Sequence, residues 1–306
     1  MKGQVVIEMN QTAFLLSSWY SGATLLTLLL DFHPEIVSNG EAFPFDSKHQ
    51  YPVCSCGKSL QECRFYRYAA GHMWNGQRYH PDLFLREPNL EFSGLVQRFS
   101  MSPRFSGPLR HTIMGFSKKY RRKIDEFSRA HMLFMDRAAD FSGAAVYLDA
   151  TKSLPRSEIL LRRIQGRKHL WLLVRDCRGF CNSVLRVRQW PVGNIPLAVR
   201  EWLNYIRFSK RLAKKYPEAN FRILRYEDLC ASPLTVLNEL FSELGVSSRQ
   251  SIYGDNHTPH LLGNKMRMAF DGKIELKEHW RTALDEKTKA EIMKLAHEQM
   301  AELGYV

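Results

Sequence analysis

Ser21, Gly22 and Thr24 stand where the first apolar segment of the chain gives way to a helical pattern. The free backbone N–H groups at the start of a helix, together with the helix dipole, favour a bound anion at such a place. The glycine would let a phosphate approach the backbone closely, and the two hydroxyls would add donors. With one glycine and no lysine, the junction does not match the Walker pattern G-x-x-x-x-G-K-S/T. It is therefore either a weak phosphate turn or a packed corner without a ligand.

A second group that could bind an anion lies around the apolar segment that ends at Val174. Arg175 would stand at the carboxyl end of this strand, and Ser183 would lie about two turns along the following helix. Ligands of open α/β sheets bind at the carboxyl ends of strands, where a guanidinium can donate two hydrogen bonds to one phosphate. The alternative is that Arg175 forms a structural ion pair with Asp176 or Asp149.

Three more segments carry polar or aromatic residues where predicted strands or loops end. Lys152, in "YLDATKS", could neutralise the charge of a leaving phosphate or sulfate, unless it is a solvated loop lysine. The ring of Tyr226, in "ILRYEDL", could stack on the base of a nucleotide, unless Tyr226 is simply a half-buried tyrosine. Asn264 and Arg267, in "HLLGNKMRM", would belong to a cationic loop that closes over an anion or lies on the surface.

These side chains can meet only if the segments before them are parallel strands of one sheet. Apolar strand patterns alternate with helical patterns along the chain, which predicts an α/β fold with a central parallel sheet flanked by helices. The predicted strands span residues 12–17, 144–150, 169–176 and 221–229. The predicted helices span residues 22–32, 111–140, 155–165, 177–188, 194–215, 233–244 and 285–303.

The length of 306 residues suits a single domain, which we predict to span residues 1–306. We interpret residues 42–140 as a large insertion that forms part of a substrate cleft or a mobile cap. No run reaches the roughly 18 apolar residues that a membrane span needs. Since Glu8 precedes the first apolar stretch and no clear small-residue cleavage site follows it, we expect no signal peptide and a cytoplasmic protein.

The charge balance indicates an anionic partner. The chain has 44 Lys and Arg against 31 Asp and Glu, a net charge of +13. This excess favours nucleotides, sulfated or phosphorylated substrates, nucleic acid or an anionic membrane as partners. The run "KKYRRK" at 118–123 is typical of nucleic-acid binding. It also fits the polar face of a helix that turns Ile124 and Phe127 inward, or a basic wall that attracts an anionic acceptor.

Cys54, Cys56 and Cys63 form a cluster in the sequence, whereas the other cysteines are scattered. Three thiols could hold a structural zinc ion with a fourth ligand such as His72. The C-x-C-x6-C spacing lacks the paired C-x2-C of common zinc sites. We therefore favour a local disulfide or inert thiols, and we expect no metal.

Taken in order, these motifs resemble those of the sulfotransferases that use PAPS, 3′-phosphoadenosine 5′-phosphosulfate. The N-terminal strand–turn–helix is followed by "HPEI" and "GE", a lysine-bearing loop, "LVRD" with a serine eight positions on, "RYEDL" and "GNKMR". The resemblance covers both ends of the chain and the sheet, but not residues 65–140. It implies an architecture like that of P-loop NTPases, with PAPS as donor, PAP as product and no metal.

The resemblance also implies a nucleotide site. The opening turn would bind the 5′-phosphosulfate, Arg175 and Ser183 would bind the 3′-phosphate, and Tyr226 would lie near the adenine. The residues that it assigns to the nucleotide are Tyr20, Ser21, Gly22, Ala23, Thr24, Arg175, Ser183, Tyr226, Asn264 and Arg267.

Two catalytic residues follow from the same resemblance. Lys152 would assist the departure of the bridging oxygen of PAPS. Glu41, in "NGEAF", would act as the base towards an acceptor hydroxyl. We prefer Glu41 to His33, because "DFHPEI" places His33 at a helix end, where it would cap carbonyls.

The turn departs from the P-(K/R)-S-G-T-T pattern of that family, because Trp19, Tyr20 and Ala23 replace the proline, the cation and one threonine. Our first hypothesis is a sulfotransferase that acts on a hydroxyl, with an amine as the second choice of acceptor group. The second is a degenerate relative that binds the nucleotide without transfer, and the third is a basic nucleic-acid-binding protein. The acceptor would be a small molecule or a glycan, anionic ones included, and its identity is open.

Overall fold

The computed structural model describes residues 11–41, 53–73, 118–253 and 258–306 of the chain. Within these residues five strands form one sheet: β1 (Gln11–Ser17), β2 (Ile36–Ser38), β3 (Val146–Asp149), β4 (Arg167–Val174) and β5 (Asn220–Arg225). All neighbouring strands are parallel, in the order β2–β3–β1–β4–β5. The predicted α/β fold with a central parallel sheet is confirmed.

Helices flank the sheet, and most of the predicted ones agree with the observed bounds to within a few residues. None of the helices in the described ranges combines the length and the apolar character that a membrane span requires. The helices are α1 (Ala23–Asp31), α2 (Arg64–Ala69), α3 (Lys118–Ser142), α4 (Leu154–Leu161), α5 (Cys177–Arg188), α6 (Ile195–Lys215), α7 (Tyr226–Ala231), α8 (Pro233–Leu244), α9 (Met266–Ala269), α10 (Trp280–Ala283) and α11 (Glu286–Glu302).

The two faces of the sheet bury two separate sets of apolar side chains. Phe14 and Leu16 of β1 belong to a core with residues of α3, α5, α6 and α11. Ala13 and Leu15 belong to a second core with residues of α1 and α8. Every residue of β1 is buried, as expected for a central strand of a parallel sheet covered on both sides. This packing fixes the carboxyl ends of the strands, and with them the segments that follow.

The strand predicted in "FRILRYEDL" ends earlier than expected. β5 ends at Arg225, and Tyr226 begins α7. Glu227 stands in the first turn of α7, where the helix dipole favours negative charge. Its carboxylate also accepts hydrogen bonds from the backbone N–H of Asp176 and the hydroxyl of Tyr305, at 3.0 and 2.8 Å. The prediction was therefore wrong for the end of that segment.

The basic run "KKYRRK" forms the start of α3. Ile124 and Phe127 are buried on the inner side of this helix, while Arg121 and Arg122 are exposed. This is the pattern of an amphipathic helix packed on a core. It agrees with the interpretation of the run as the polar face of a helix.

The predicted insertion at residues 42–140 is described in part, since residues 42–52 and 74–117 lie outside the described ranges. In the described part, α2 packs against α3, with the ring centroids of Phe65 and Phe134 6.1 Å apart. Both helices contribute to the core on one face of the sheet. The role of the insertion in a substrate cleft stays a prediction.

Candidate functional site

The segments that leave the carboxyl ends of all five strands line one cavity of about 670 Å³. The ends of β1, β4 and β5 are level with one another, since Ser17 of β1 pairs with Leu173 and Val174 of β4 pairs with Arg225. β3 ends opposite Phe14 of β1, three residues earlier. Open parallel sheets bind their ligands at this edge. The wall residues that come one from each segment are Tyr20, Glu41, Lys152, Arg175 and Tyr226.

All but two of the predicted site residues line this cavity. Ser21 is buried, and its hydroxyl lies 2.8 Å from that of Ser18. The guanidinium of Arg267 donates to the carbonyl oxygens of Leu261 and Val53, at 3.0 and 2.6 Å, so it joins two loops instead of lining the cavity. The predicted residues that line it are Tyr20, Gly22, Ala23, Thr24, Glu41, Lys152, Arg175, Ser183, Tyr226 and Asn264.

Gly22 lets the ring of Tyr226 lie against the turn after β1. Its φ of 88° is in the left-handed region, and a Cβ added to it would lie 2.3 Å from a ring carbon of Tyr226. Glycine alone meets both demands. Burial raises the pKa of Tyr226 to about 12, so its hydroxyl stays protonated and donates to the carbonyl oxygen of Glu275 at 3.3 Å. The ring is thus a fixed aromatic wall beside the start of α1.

Arg175 connects the turn, α5 and the far wall of the cavity. Its Nη1 lies 3.1 Å from the carbonyl oxygen of Tyr20 and 3.5 Å from the hydroxyl of Ser183. Its Nη2 donates to the carbonyl oxygen of Lys277, and its guanidinium carbon lies 4.9 Å from the centre of the Tyr226 ring. Arg175 and Ser183, predicted to act together, are therefore adjacent in one wall.

No carboxylate in the described ranges forms an ion pair with Arg175. Asp176 accepts a hydrogen bond from the backbone N–H of Arg178 at 2.8 Å and pairs with its guanidinium, so it caps α5. Asp149 pairs with Arg156, with 2.8 Å between Oδ2 and Nε. The ion pair considered for Arg175 is thus not formed with either carboxylate, which leaves the guanidinium charge for an anion.

Glu41 and Lys152, the two predicted catalytic residues, form a direct ion pair. Nζ of Lys152 lies 2.6 Å from Oε1 of Glu41, and the side chains are 11% and 6% exposed, respectively. Oε2 of Glu41 is buried and has no hydrogen-bond partner within the described part of the chain. A buried polar atom without a partner costs about 1–3 kcal/mol. Glu41 lines the cavity, and this oxygen has the capacity to accept one more hydrogen bond.

Lys152 is held beside the turn in an uncommon backbone conformation. Its φ of 62° is in the left-handed region, which costs a non-glycine residue about 1–2 kcal/mol. The hydroxyl of Tyr205 donates to the carbonyl oxygen of Lys152 at 3.0 Å and accepts the N–H of Ser17 at 3.1 Å. The ammonium lies 5.5 Å from the centre of the Trp19 ring. A fixed cation thus stands next to a turn that contains no Lys or Arg.

Tyr20 adds no positive charge to the turn. Its hydroxyl contacts the guanidinium of Arg188. Arg188 donates to both carboxylate oxygens of Glu201, at 2.7 and 2.8 Å, so its charge is already balanced. Lys152 is also paired with a carboxylate, but it lines the cavity and Arg188 does not, so Lys152 is the better candidate to face a bound anion.

His33 is a structural histidine. It is fully buried, its Nδ1 accepts the backbone N–H of Glu35 at 3.1 Å, and its Nε2 therefore donates to the carbonyl oxygen of Ser247 at 2.9 Å. Burial lowers the pKa of His33, which favours the neutral ring. The predicted capping role is corrected in one respect, because the carbonyl comes from the chain after α8 and not from α1.

The segment between α9 and α10 lines one side of the cavity and was not predicted. It contributes two cations, Lys273 and Lys277. Its backbone is fastened by the carbonyl oxygens of Glu275 and Lys277, which accept hydrogen bonds from Tyr226 and Arg175. The alternation in "GKIELK" is that of a strand, but residues 270–279 form neither strand nor helix. The two lysines are the signal that could have indicated an anion site.

The clustered cysteines meet a histidine that the sequence analysis did not select. Cys54, Cys56, Cys63 and His260 each place one ligand atom within 4.8 Å of the others. His72, the fourth ligand considered from the sequence, instead has its Nε2 3.1 Å from a backbone carbonyl oxygen of α3. All six cysteines of the chain are free thiols, so of the two alternatives favoured from the sequence, the local disulfide is not formed.

No family model matches this chain, and no curated protein sequence matches it. Several solved structures, however, are similar to the chain. A sulfotransferase domain from the curacin biosynthetic pathway is 18% identical, with a TM-score of 0.52 over 94% of this chain and 96% of that domain. The sulfotransferase domain of the Synechococcus PCC 7002 olefin synthase is 20% identical, with a TM-score of 0.50 over 94% of both chains. The chain therefore has the fold of sulfotransferases, as its motifs predicted.

Proposed function

We propose that this protein is a sulfotransferase that moves a sulfuryl group from PAPS to an acceptor hydroxyl. One observation carries the proposal: the segments after all five strands bring two cations, a carboxylate and two aromatic rings to one cavity. The fold shared with sulfotransferase domains supports it.

We assign the 3′-phosphate of the nucleotide to Arg175 and Ser183. The guanidinium stands beside a hydroxyl, and a planar guanidinium can grip a phosphate with two N–H groups. Arg186, which is exposed and lines the same cavity, adds a second positive charge. The adenine would then lie near the ring of Tyr226, with the amide of Asn264 as a further hydrogen-bonding group.

Lys152 takes the place of the cation that the turn lacks. In-line transfer places negative charge on the oxygen that bridges sulfur and phosphorus, much as in phosphoryl transfer. A fixed ammonium beside that oxygen stabilises the charge, and the loss of one such donor costs about 3–4 kcal/mol. The position of the ammonium near Trp19, next to the turn, supports this role.

Glu41 would accept the proton of the acceptor. The acceptor oxygen forms a bond to sulfur, the bond between sulfur and the bridging oxygen breaks, PAP leaves, and the hydroxyl proton passes to Oε2. Oε1 stays bound to Lys152, so one carboxylate can hold the cation and take the proton. General bases of this kind contribute roughly a hundred- to ten-thousand-fold in rate.

The composition of the turn favours a second candidate, nucleotide binding without transfer, because the proline and the cation of the family pattern are missing. Tight PAP binding without turnover of PAPS on a broad panel of acceptors would favour it. Nucleic-acid binding ranks third, since it rests on the charge of α3, whose apolar face is buried. A small-molecule or glycan acceptor and a cytoplasmic location belong to the proposal as well.

Thermal unfolding in the presence of PAP tests the proposal. We expect PAP to raise the Tm, because a ligand that binds only the folded state adds roughly 3 kcal/mol at a hundredfold excess over its Kd. Arg175→Ala should abolish the shift. Arg211→Ala, which removes an exposed arginine of α6, should retain it. No shift with millimolar PAP would contradict the proposal.

A further inference from the structure

Cys54, Cys56, Cys63 and His260 form a cluster of metal-ligating side chains that does not line the cavity. The sulfur atoms of Cys56 and Cys63 are 3.7 Å apart. Nδ1 of His260 lies 3.6 Å from the sulfur of Cys54 and 3.4 Å from that of Cys63. Cys54 and Cys63 are fully buried, and the other two are half-buried. Four donor atoms thus converge on one point.

Three of the six distances between the ligand atoms are those of a tetrahedron around a small ion, and all six are within 4.8 Å. Zinc binds thiolate sulfur at about 2.3 Å and imidazole nitrogen at about 2.0–2.1 Å, with tetrahedral angles. An ion at the centre therefore requires about 3.8 Å between two sulfurs and about 3.6 Å between sulfur and nitrogen. The observed distances, 3.7 Å and 3.4–3.6 Å, agree with both. A disulfide would need about 2.05 Å between sulfurs and would give the histidine no role.

We propose that these four side chains bind a structural Zn²⁺ ion. Three soft thiolates and one imidazole are a donor set that selects zinc over the hard cations Mg²⁺ and Ca²⁺. Because protein atoms fill all four positions, the ion has no open position for a substrate or water, which is the mark of a structural and not a catalytic site. The inference does not depend on the proposed function.

A tight turn in the sequence presents the first two cysteines. Gly57 has a φ of 82°, and its N–H donates to the carbonyl oxygen of Cys54 at 2.9 Å. The N–H of Cys54 donates to the backbone carbonyl oxygen of Lys58 at 2.9 Å. This hairpin brings the C-x-C pair to one side, and Cys63 follows at the start of α2. The spacing thus supplies three ligands, although it differs from the common C-x2-C pattern.

The fourth ligand is oriented by contacts of its own. The imidazole of His260 stacks on the ring of Phe65, with 5.0 Å between centroids and 4° between planes. Its carbonyl oxygen accepts the hydroxyl of Tyr66 at 3.0 Å. The hydroxyl of Ser55 donates to the carbonyl oxygen of Pro259 at 2.5 Å and accepts the N–H of Leu261 at 2.7 Å, so it holds the residues on both sides of His260. Such outer contacts fix the orientation of metal ligands.

Zinc at this place would anchor the backbone beside the cavity. Leu262, two residues after His260, donates its N–H to the backbone carbonyl oxygen of Asn39 at 2.8 Å. Its own carbonyl oxygen accepts the N–H of Glu41 at 3.1 Å. Asn264, a wall residue, stands two residues after Leu262. The ion would therefore hold the segment that carries Glu41 without contacting a substrate.

Metal analysis of the purified wild-type protein tests the inference. We expect about one equivalent of zinc per chain, retained through dialysis against a weak chelator. Cys63→Ser and His260→Ala should each lose the metal under this treatment. Cys230→Ser, which removes a half-buried thiol outside the cluster, should keep it. Absence of metal from wild-type protein grown with zinc, with free thiols or a Cys56–Cys63 disulfide found by mass spectrometry, would overturn the inference, as would full zinc retention in both ligand variants.

Cobalt substitution of the wild-type protein gives a second test that does not need the variants to fold. Co²⁺ in a site of three thiolates and one imidazole should show the intense visible absorption of tetrahedral cobalt together with thiolate charge transfer. The weak absorption of octahedral cobalt would overturn the inference. Both readouts are separate from PAP binding, so the zinc site and the proposed function can fail independently.

Discussion

Glu41 is a residue whose two carboxylate oxygens have different environments. Oε1 is bound by Lys152 at 2.6 Å, whereas Oε2 is buried and has no partner in the described ranges. A carboxylate that is held by one oxygen keeps its orientation while the other oxygen exchanges a proton. This arrangement is the structural reason for assigning the base to Glu41 and not to the buried, hydrogen-bonded His33.

Glu41→Gln preserves the shape of the side chain and removes its ability to take a proton. We expect turnover with any competent acceptor to fall by roughly a hundredfold or more. The affinity for PAP should stay, because Arg175 is untouched. Glu239→Gln, at an exposed position of α8, is the matched control and should leave turnover unchanged. A pH–rate profile that is the same in Glu41→Gln and wild type would remove Glu41 as the base.

At the scale of secondary structure, the predictable elements were those with a strong period or continuous burial. The interior strands β1 and β4 are buried along almost their whole length and therefore appear as apolar runs. β2 was missed because three residues, Ile36–Ser38, carry too little pattern. α7 was predicted as strand because it follows β5 without a break, and the tertiary hydrogen bonds that Glu227 accepts in its first turn cannot be seen in the sequence.

The same distinction applies to the site. Lys152, Arg175 and Tyr226 could be placed from sequence because each stands within three residues after the end of a strand. A parallel sheet brings such ends together. Lys277 and His260 could not, since they lie in irregular segments that only tertiary hydrogen bonds position. In the case of His260, the partner cysteine Cys63 is 197 residues away in the chain.

Gly22→Ala tests the contact between the turn after β1 and the start of α7. The added Cβ would lie 2.3 Å from the ring of Tyr226, at a φ of 88° that disfavours alanine. We expect a loss of about 1–2 kcal/mol in stability and, if the ring shifts, roughly a tenfold loss of PAP affinity, equivalent to about 1.4 kcal/mol. Chemical unfolding measures the loss of stability, and titration with PAP measures the loss of affinity.

Gly193→Ala is the matched control for that substitution, because nothing lies within 4 Å of its added Cβ. It should change neither stability nor PAP affinity appreciably. A folded Gly22→Ala protein with wild-type affinity for PAP would show that the position of the Tyr226 ring does not matter to the nucleotide.

At the scale of the whole molecule, the sheet positions the segments that line the cavity, and the segment with the cysteine cluster is connected to one of them. The sheet places five strand ends along one edge. The N–H of Ser55 donates to the carbonyl oxygen of Leu261 at 3.1 Å, which connects the segment with the cysteine cluster to the segment beside Glu41. The net charge of +13 adds a long-range attraction for anionic donors and acceptors. A cavity at the strand ends and a positive net charge both suit a doubly phosphorylated nucleotide.

The structure of the protein with PAP bound is the most direct test of the proposed function. We predict that the 3′-phosphate contacts the guanidinium of Arg175 and the hydroxyl of Ser183. Nζ of Lys152 should lie within about 3 Å of an oxygen of the 5′-phosphate. A nucleotide bound outside this cavity, or one whose 5′-phosphate faces Lys273 or Lys277 while Lys152 stays paired only with Glu41, would contradict the proposal.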